Sequence, residues 1–230
     1  MKKFLLLLII PFLSFSQTSR EDVNFQRANT DYQNKEYSSA ITHFQRIISP
    51  DYFVYHMMAR CYRELGKYEQ SIQNYKTSIR MKPDYVNNYI GLSWVYTYYV
   101  DEYKLALQTA NTGMSYDRNI WQFYYNKGYT HAKLGNYKEA VVCYDKHLDL
   151  YRGSEMGNGY NLRGFCKLFS FESRYTDHCS DFKIACEFGS KNGCRNYKNA
   201  VCEVDGIFNP NTGYIYFDWE KDVPPKHMGW

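Results

Sequence analysis

The sequence lacks the features on which several functions depend. It has only 6 prolines and 14 glycines in 230 residues, and its 28 Lys and Arg nearly balance 24 Asp and Glu. So small a net charge gives no electrostatic case for nucleic acid, which requires a concentrated basic stripe. With 44 % hydrophobic and 23 % charged residues, the chain is globular in composition, and wholesale disorder is ruled out.

Catalytic and metal-binding signatures are also missing. The sequence contains no G-x-S-x-G, H-E-x-x-H, P-loop or G-x-G-x-x-G motif. It has no C-x-x-C pair and no Cys/His set with zinc spacing, and its 6 histidines are dispersed. We therefore expect no enzyme activity, no cofactor and no metal, although a site assembled across the fold stays open as an alternative.

The first residues have the pattern of a secretory signal peptide. Lys2 and Lys3 precede an apolar run of about ten residues, and small residues lead to Gln17. The run is about half of what a membrane-spanning helix needs, so we expect residues 1–16 to be removed and no integral membrane segment to remain. The protein is then exported to the periplasm or secreted. The alternative is an N-terminal strand or core helix.

Tyrosine is the abundant residue, with 25 copies, and it recurs with a period of about 34 residues. Four sets of positions share this period. A tyrosine follows each turn, a small residue lies three positions after this tyrosine, and a residue that is usually aromatic lies four positions after the small one. Upstream of the turn, an aromatic residue is followed four positions later by a small residue. The first three sets are Tyr37, Tyr68, Tyr103 and Tyr137; Ala40, Ser71, Ala106 and Ala140; Phe44, Tyr75, Ala110 and Tyr144. The fourth pairs Tyr55, Tyr89, Tyr124 and Tyr160 with Ala59, Ser93, Gly128 and Gly164.

Residues four apart lie on one helix face, so each unit is interpreted as two antiparallel helices. The small residue allows the neighbouring helix to approach closely. Gly66 and Gly135 are suited to ending the first helix of their units. The third unit lacks this glycine and has residues 99–102 in its place.

This pattern resembles the tetratricopeptide repeat, most clearly over residues 52–85 and 120–153. The resemblance implies an all-α fold, a right-handed α-solenoid of about five antiparallel helix pairs over residues 17–190. An ordinary helical bundle is the alternative, and contact between the first and fourth units would favour it.

Five of the 7 cysteines lie within residues 166–202, and export favours disulfides. If two helices run antiparallel around a turn near residue 190, Cys186 faces Cys194 and Cys179 faces Cys202. Cys166 competes for Cys179 across the preceding turn, so that second pairing stays open. Cys61 and Cys143 are expected to be buried apolar residues, and a redox-active thiol is the alternative.

Residues 185–194 also resemble the cysteine-stapled turn of secreted Sel1-like repeat proteins. We expect a capping helix at 191–205 and a turn with a β-prone, irregular tail at 206–230. The tail is expected to fold back over the last helix, and docking elsewhere is the alternative.

In the tetratricopeptide family, ligands usually lie in the concave groove lined by the first helix of each unit. The resemblance nominates as partner-binding residues His56, Arg60, Arg63, Asn87, Trp94, Tyr98, Gln122, Tyr125, Asn126 and Tyr129. The lysine and asparagine set with which the family binds chaperone C-termini is absent at these positions.

These residues predict an aromatic, amide-lined surface with a basic corner, suited to a protein or peptide partner that carries an acidic group. The alternative is that the tyrosines only fill space between helices. The sequence therefore predicts a non-catalytic protein–protein interaction scaffold of the bacterial envelope. A secreted interaction effector is the second possibility, and a weak envelope hydrolase is the third.

Overall fold

The computed structural model describes residues 23–153, 156–170 and 177–199. The predicted signal peptide at 1–16 and the tail at 206–230 lie outside these residues. The described chain forms eleven helices and no strand, which confirms the all-α prediction. They are α1 (Val23–Gln33), α2 (Tyr37–Gln45), α3 (Tyr52–Glu64), α4 (Tyr68–Met81), α5 (Val86–Tyr98), α6 (Tyr103–Tyr116), α7 (Trp121–Lys133), α8 (Tyr137–Leu150), α9 (Met156–Phe169), α10 (His178–Glu187) and α11 (Lys191–Asn199).

The helices stack as five consecutive pairs followed by α11. Each helix packs mainly on its neighbours in the chain. In addition α3 packs on α5, α5 on α7, α7 on α9, and α9 on α11. Among the described helices, substantial packing joins only elements that are adjacent or next but one in sequence, so the molecule is a solenoid and not a bundle.

The periodic tyrosines mark helix starts. Tyr37, Tyr68, Tyr103 and Tyr137 are the first residues of α2, α4, α6 and α8. The small residue three positions later is buried in every case, because the paired first helix packs against it. The aromatic residue that follows fills the remaining space, as Tyr144 does at 0 % exposure.

A residue with a positive φ lies in the turn between the two helices of each of the first four pairs. Gly66 has φ of 71°, and the next amide, that of Lys67, donates to the carbonyl of Tyr62 at 2.9 Å. This six-to-one bond closes the helix in the way that glycine favours. In the third unit Asp101 takes the same conformation with φ of 55°, and the amide of Glu102 donates to Tyr96 at 2.9 Å. The turn without glycine therefore keeps a positive φ, but its closing hydrogen bond spans one residue more than that of the second unit.

In the third unit, Ala110 occupies the position at which the other units have a large aromatic residue, and a side chain of the next unit fills the space. Phe123, the third residue of the next unit's first helix, is fully buried in a cluster with Tyr89, Ile90 and Ala110. A Cβ at Gly113 would lie 2.8 Å from Cε1 of Phe123 and 2.7 Å from Cβ of Tyr89. The large side chain is thus supplied by α7 instead of α6.

Ion pairs hold the two helices of the last pair together, and a disulfide joins this pair to α11. Arg163 bonds both Asp145 of α8, at 2.7 Å, and Asp181 of α10, at 2.6 Å. Lys167 reaches Asp177 at 2.7 Å and Asp181 at 3.0 Å. Because Asp181 is buried, its charge needs these two cations.

Cys186 and Cys194 form the predicted disulfide, with Cα atoms 4.4 Å apart. Cys179 is disulfide-bonded as well, and Cys202, its expected partner, lies outside the described residues. Cys166 is free and buried, so it is not the partner of Cys179. The helix α11 falls within the range predicted for a capping helix, of which residues 200–205 lie outside the described chain.

Candidate binding face

The first helices form one continuous layer. The odd-numbered helices α3, α5, α7, α9 and α11 pack side by side, whereas no even-numbered pair in the described chain packs to a comparable extent. In a curved stack of helix pairs, the helices on the inner side lie closer together than those on the outer side. The odd-numbered helices therefore form the inner side. All ten residues predicted to bind a partner lie on α3, α5 and α7 of this layer.

Most of these ten side chains are buried. Arg60, Tyr98 and Gln122 are partly exposed and Asn87 is exposed. The other six are buried, namely His56, Arg63, Trp94, Tyr125, Asn126 and Tyr129. As placed, these six do not offer a free side chain to a partner. The sequence could not show this, because burial depends on how tightly neighbouring first helices approach.

His56 and Asn126 bond to neighbouring units. Nδ1 of His56 lies 2.9 Å from Oδ1 of Asn88, whose Nδ2 donates to Oγ of Ser78 at 2.7 Å. Asn126 donates to Oγ of Ser93 at 2.9 Å. These bonds, together with Thr97–Thr130 and Asn161–Asn196, both 2.9 Å, join successive first helices. We call them the polar rungs, and they give His56 and Asn126 a structural role, while partner binding by these two residues stays a prediction.

Burial keeps His56 neutral. It lowers the pKa of His56 to about 4, a fall that the bond with Asn88 opposes and Arg60 reinforces. Since Asn88 uses Nδ2 as donor to Ser78, its Oδ1 accepts from Nδ1–H of a neutral His56. Burial also lowers the pKa of His147 to about 4, where Tyr125 and Trp121 surround the ring at 5.0 and 5.2 Å.

The predicted basic corner contains one available cation, not two. Arg63 is buried, and its Nε and Nη2 donate to Oε1 of Glu64 at 3.0 and 2.6 Å. Arg60 has no carboxylate partner among the described residues, and its buried Nε has no hydrogen-bond partner there. Its guanidinium lies 4.9 Å from the ring centroid of Tyr32 and holds Nη1 4.0 Å from Sδ of Met57.

Tyr32 was not among the predicted site residues. Burial raises its pKa, and the nearby Arg60 opposes that rise. The signal that could have found it is spacing, because Tyr32 follows the buried Ala28 by four residues, as Arg63 follows Ala59. Tyr32 thus supplies the aromatic floor under Arg60 from the preceding unit.

Beside this corner lies an aromatic strip, formed by Trp94, Tyr98 and Tyr129. The ring of Tyr98 is 4.1 Å from that of Trp94 and 4.3 Å from that of Tyr129. Nζ of Lys133 lies 5.8 Å from the ring of Tyr129. Burial raises the pKa of Tyr98 well above its usual value, and its buried hydroxyl has no hydrogen-bond partner among the described residues.

The remaining titratable groups are the acids, histidines and cysteines outside the binding face. In the part of the chain that the structure describes, no three His, Cys, Asp or Glu side chains are grouped to hold a metal. Burial raises the pKa of Cys61 to about 12 and of Cys143 to about 11, which disfavours the reactive thiolate. None of the described helices has the length and apolar character to cross a membrane.

Comparison with known structures supports the same fold. MamA from Desulfovibrio magneticus RS-1 is 15 % identical with a TM-score of 0.64, covering 72 % of this chain and 93 % of that one. The thermophilic TPR protein TTC0263 of Thermus thermophilus is 19 % identical with a TM-score of 0.59, covering 80 % and 100 %. YrrB, a TPR protein with an unusual peptide-binding site, is 15 % identical with a TM-score of 0.51, covering 55 % and 66 %. A search of curated proteins found no significant match.

The fold and the inner layer define an α-solenoid of repeated helix pairs, a class that works by offering an extended binding surface. Within that class, residues 54–85 and 121–154 match models of the tetratricopeptide repeat. The chain is a tetratricopeptide repeat protein. The resemblance of residues 185–194 to Sel1-like repeats stays a prediction.

Proposed function

We propose that this protein is a non-catalytic, exported scaffold that holds an acidic peptide segment of a partner protein on the first-helix layer. The observation that carries the proposal is Arg60. It is a half-buried cation that lies on an aromatic ring and has no acid partner among the described residues. A carboxylate on a ligand would supply the missing hydrogen-bond acceptor, in a bond of the strong, charge-assisted kind.

The surroundings of Arg60 suit an extended peptide. Tyr32 and Tyr98 provide aromatic contact area at low entropic cost, and the amides of Asn87 and Gln122 can bond to a peptide backbone. The neighbouring cation, Arg63, is already neutralised by Glu64 and does not compete for the carboxylate. We therefore expect Arg60 to provide most of the charge recognition.

The test uses a phage-displayed random peptide library selected on the purified protein. Isothermal titration calorimetry then measures binding of one selected peptide to the wild type, R60Q and R60K. We expect the selected peptides to contain Asp, Glu or a free C-terminus, and to bind R60Q about tenfold more weakly than the wild type. The affinity of R60K should be intermediate, because lysine keeps the positive charge but lacks the planar guanidinium that bonds a carboxylate through two nitrogens.

The matched control is K104Q, which removes one positive charge from an exposed position of α6. It should bind the peptide as the wild type does. Circular dichroism melting verifies that R60Q folds. Equal affinity of R60Q and the wild type for every selected peptide would rule out the site.

The exported location is a separate proposal. It is supported by the charged and apolar start of the sequence and by the Cys186–Cys194 bond, which an oxidising compartment favours. Fractionation of producing cells, with N-terminal sequencing, should find mature protein in the envelope fraction beginning near Gln17. Protein in the medium would instead favour a secreted effector, and protein still beginning at Met1 would contradict export.

A further inference from the structure

The turn between α10 and α11 is closed by hydrogen bonds that involve no sulfur atom. Gly189 has a positive φ of 81°, and the amide of Ser190 donates to the carbonyl of Ala185 at 3.0 Å. This bond ends α10 in the way that glycine favours. Oγ of Ser190 accepts from the amide of Gly193 at 3.1 Å and so caps the start of α11. The geometry of the turn therefore does not require a disulfide.

Beside this turn the two helices are in direct contact. A Cβ at Gly193 would lie 2.5 Å from Cβ of Ala185 and 3.0 Å from its carbonyl carbon and from the amide nitrogen of Cys186. Since these distances leave no space for a side chain, glycine allows α11 to approach α10 at this point. Each of the two contacting residues directly precedes one cysteine of the disulfide, and the Cα atoms of Cys186 and Cys194 are 4.4 Å apart. The contact therefore holds the two thiols within bonding range.

Distance along the sequence does not select this pair of cysteines. Four cysteines follow one another at intervals of 7, 8 and 8 residues, namely Cys179, Cys186, Cys194 and Cys202. Because the entropy of loop closure changes slowly with length, the three neighbouring pairs close loops of nearly equal entropy in an unfolded chain. In the folded chain Cys179 and Cys186 both belong to α10, where seven residues span about 10 Å. A disulfide needs Cα atoms within about 7 Å, so the helix excludes this pairing.

The free thiols are kept out of the reaction by the folded units around them. Cys61, Cys143 and Cys166 are free and buried. Burial raises the pKa of Cys61 to about 12 and of Cys143 to about 11, and it raises the pKa of Cys166 as well. Since the thiolate is the attacking species in thiol–disulfide exchange, these three cysteines react slowly once their helices have packed. Cys186 and Cys194 are partly exposed and are accessible to an oxidant.

We propose that thiol–disulfide exchange forms the Cys186–Cys194 bond after α10 and its turn have folded, and that Gly193 is the residue that positions the two thiols. The oxidant is a small organic disulfide. The thiolate of one cysteine attacks it, which breaks its S–S bond, forms a mixed disulfide and releases one thiolate. The thiolate of the second cysteine then attacks the sulfur of the first and releases the other half. The two cysteines are oxidised, the oxidant is reduced to two thiols, and these take up the two protons that the cysteines lose.

Reoxidation of the full chain tests this order of events. The purified protein is reduced with dithiothreitol, freed of the reductant and exposed to oxidised and reduced glutathione, in native buffer and in concentrated guanidinium chloride. N-ethylmaleimide then blocks the thiols that remain. Trypsin cleaves after Lys183 and Lys191 and so places Cys179, Cys186 and Cys194 on separate peptides. Mass spectrometry of the linked peptides measures the yield of each disulfide.

The two solvents should give different products. In native buffer the yield of Cys186–Cys194 should exceed that of Cys179–Cys186 at least about tenfold, because α10 excludes the second pair. In guanidinium chloride the two yields should lie within about twofold of each other. Similar yields in native buffer would overturn the proposal. So would the same excess of Cys186–Cys194 in guanidinium chloride, because the pairing would then not depend on the folded helix.

Substitution of Gly193 tests its positioning role. Gly193→Ala should slow the formation of Cys186–Cys194 in native buffer at least about threefold, because the added Cβ meets backbone atoms of α10. Lys198→Ala, at an exposed position of the same helix, is the control and should react as the wild type does. An unchanged rate in Gly193→Ala would show that this glycine does not position the thiols.

A compensating variant separates positioning from a general loss of stability. Ala185→Gly combined with Gly193→Ala removes the shortest of the new contacts, between the two Cβ atoms, and should recover part of the lost rate. Glycine within α10 lowers helix propensity, so a variant that is only less stable would react more slowly still. A double variant that is no faster than Gly193→Ala would contradict the role of this contact.

Discussion

At the scale of single residues, this protein builds its interior from polar as well as apolar groups. His56, Asn88 and Ser78 form one buried chain of hydrogen bonds, and Asn126 bonds Ser93 one unit further on. Each such group is stabilising only while its partner is present, because a buried polar atom without a bond costs about 1–3 kcal/mol. On an exposed surface, histidine, asparagine and serine side chains can instead form hydrogen bonds with a binding partner.

The buried histidines predict acid sensitivity. The pKa of His56 and His147 is lowered to about 4 in the folded protein, whereas an unfolded histidine titrates near 6.5. The unfolded state therefore binds protons first as the pH falls. Urea unfolding should show stability decreasing from pH 6.5 towards pH 4.5, by roughly 2 kcal/mol for each histidine. Imidazole NMR signals of these two residues that titrate near pH 6.5 would contradict this.

At the scale of helices, glycine residues determine how closely neighbouring helices pack. Gly91 of α5 faces Tyr75 of α4, which is only 1 % exposed. A Cβ at Gly91 would lie 2.5 Å from the hydroxyl oxygen and 2.7 Å from Cε1 of this ring. The spacing between the second and third units therefore depends on this glycine.

Gly91→Ala should destabilise the protein by about 1–3 kcal/mol, because overpacking outweighs the helix propensity that alanine adds. The free energy of unfolding in urea is the measurement. Gln108→Ala, at an exposed position of α6, is the control and should change this free energy by less than about 0.5 kcal/mol. A stabilised Gly91→Ala variant would show that the two helices can separate freely.

At the scale of the whole molecule, stability is the sum of the interactions between neighbouring helix pairs. Each pair buries its apolar side against the flanking pairs, and the polar rungs join successive units. Damage to one rung should therefore spread to adjacent units and not to the far end.

Asn88→Ala tests this locality, since it leaves His56 and Ser78 without their shared partner. Hydrogen exchange should become faster in α3 to α6 and stay unchanged in α9 to α11. Asn87→Ala, at the exposed neighbouring position, should leave the exchange of all these helices unchanged. Uniformly faster exchange along the chain would instead indicate a single cooperative unit.

The sequence by itself determined the repeat, the helix pairs and the Cys186–Cys194 bond. These follow from local spacing: residues four apart share a helix face, and a turn of fixed length sets which cysteines meet. The periodic tyrosines were therefore sufficient to place the starts of α2, α4, α6 and α8.

Only the tertiary structure decided which candidate residues are available to a partner. Arg60 and Arg63 lie three residues apart on one helix, yet Glu64 neutralises one and Tyr32 supports the other. His56 and Asn126 occupy groove positions of the family pattern, but His56 bonds to the next unit and Asn126 to the preceding one. Such pairings depend on how closely neighbouring first helices approach, and that distance is set by side chains some 30 residues apart in sequence.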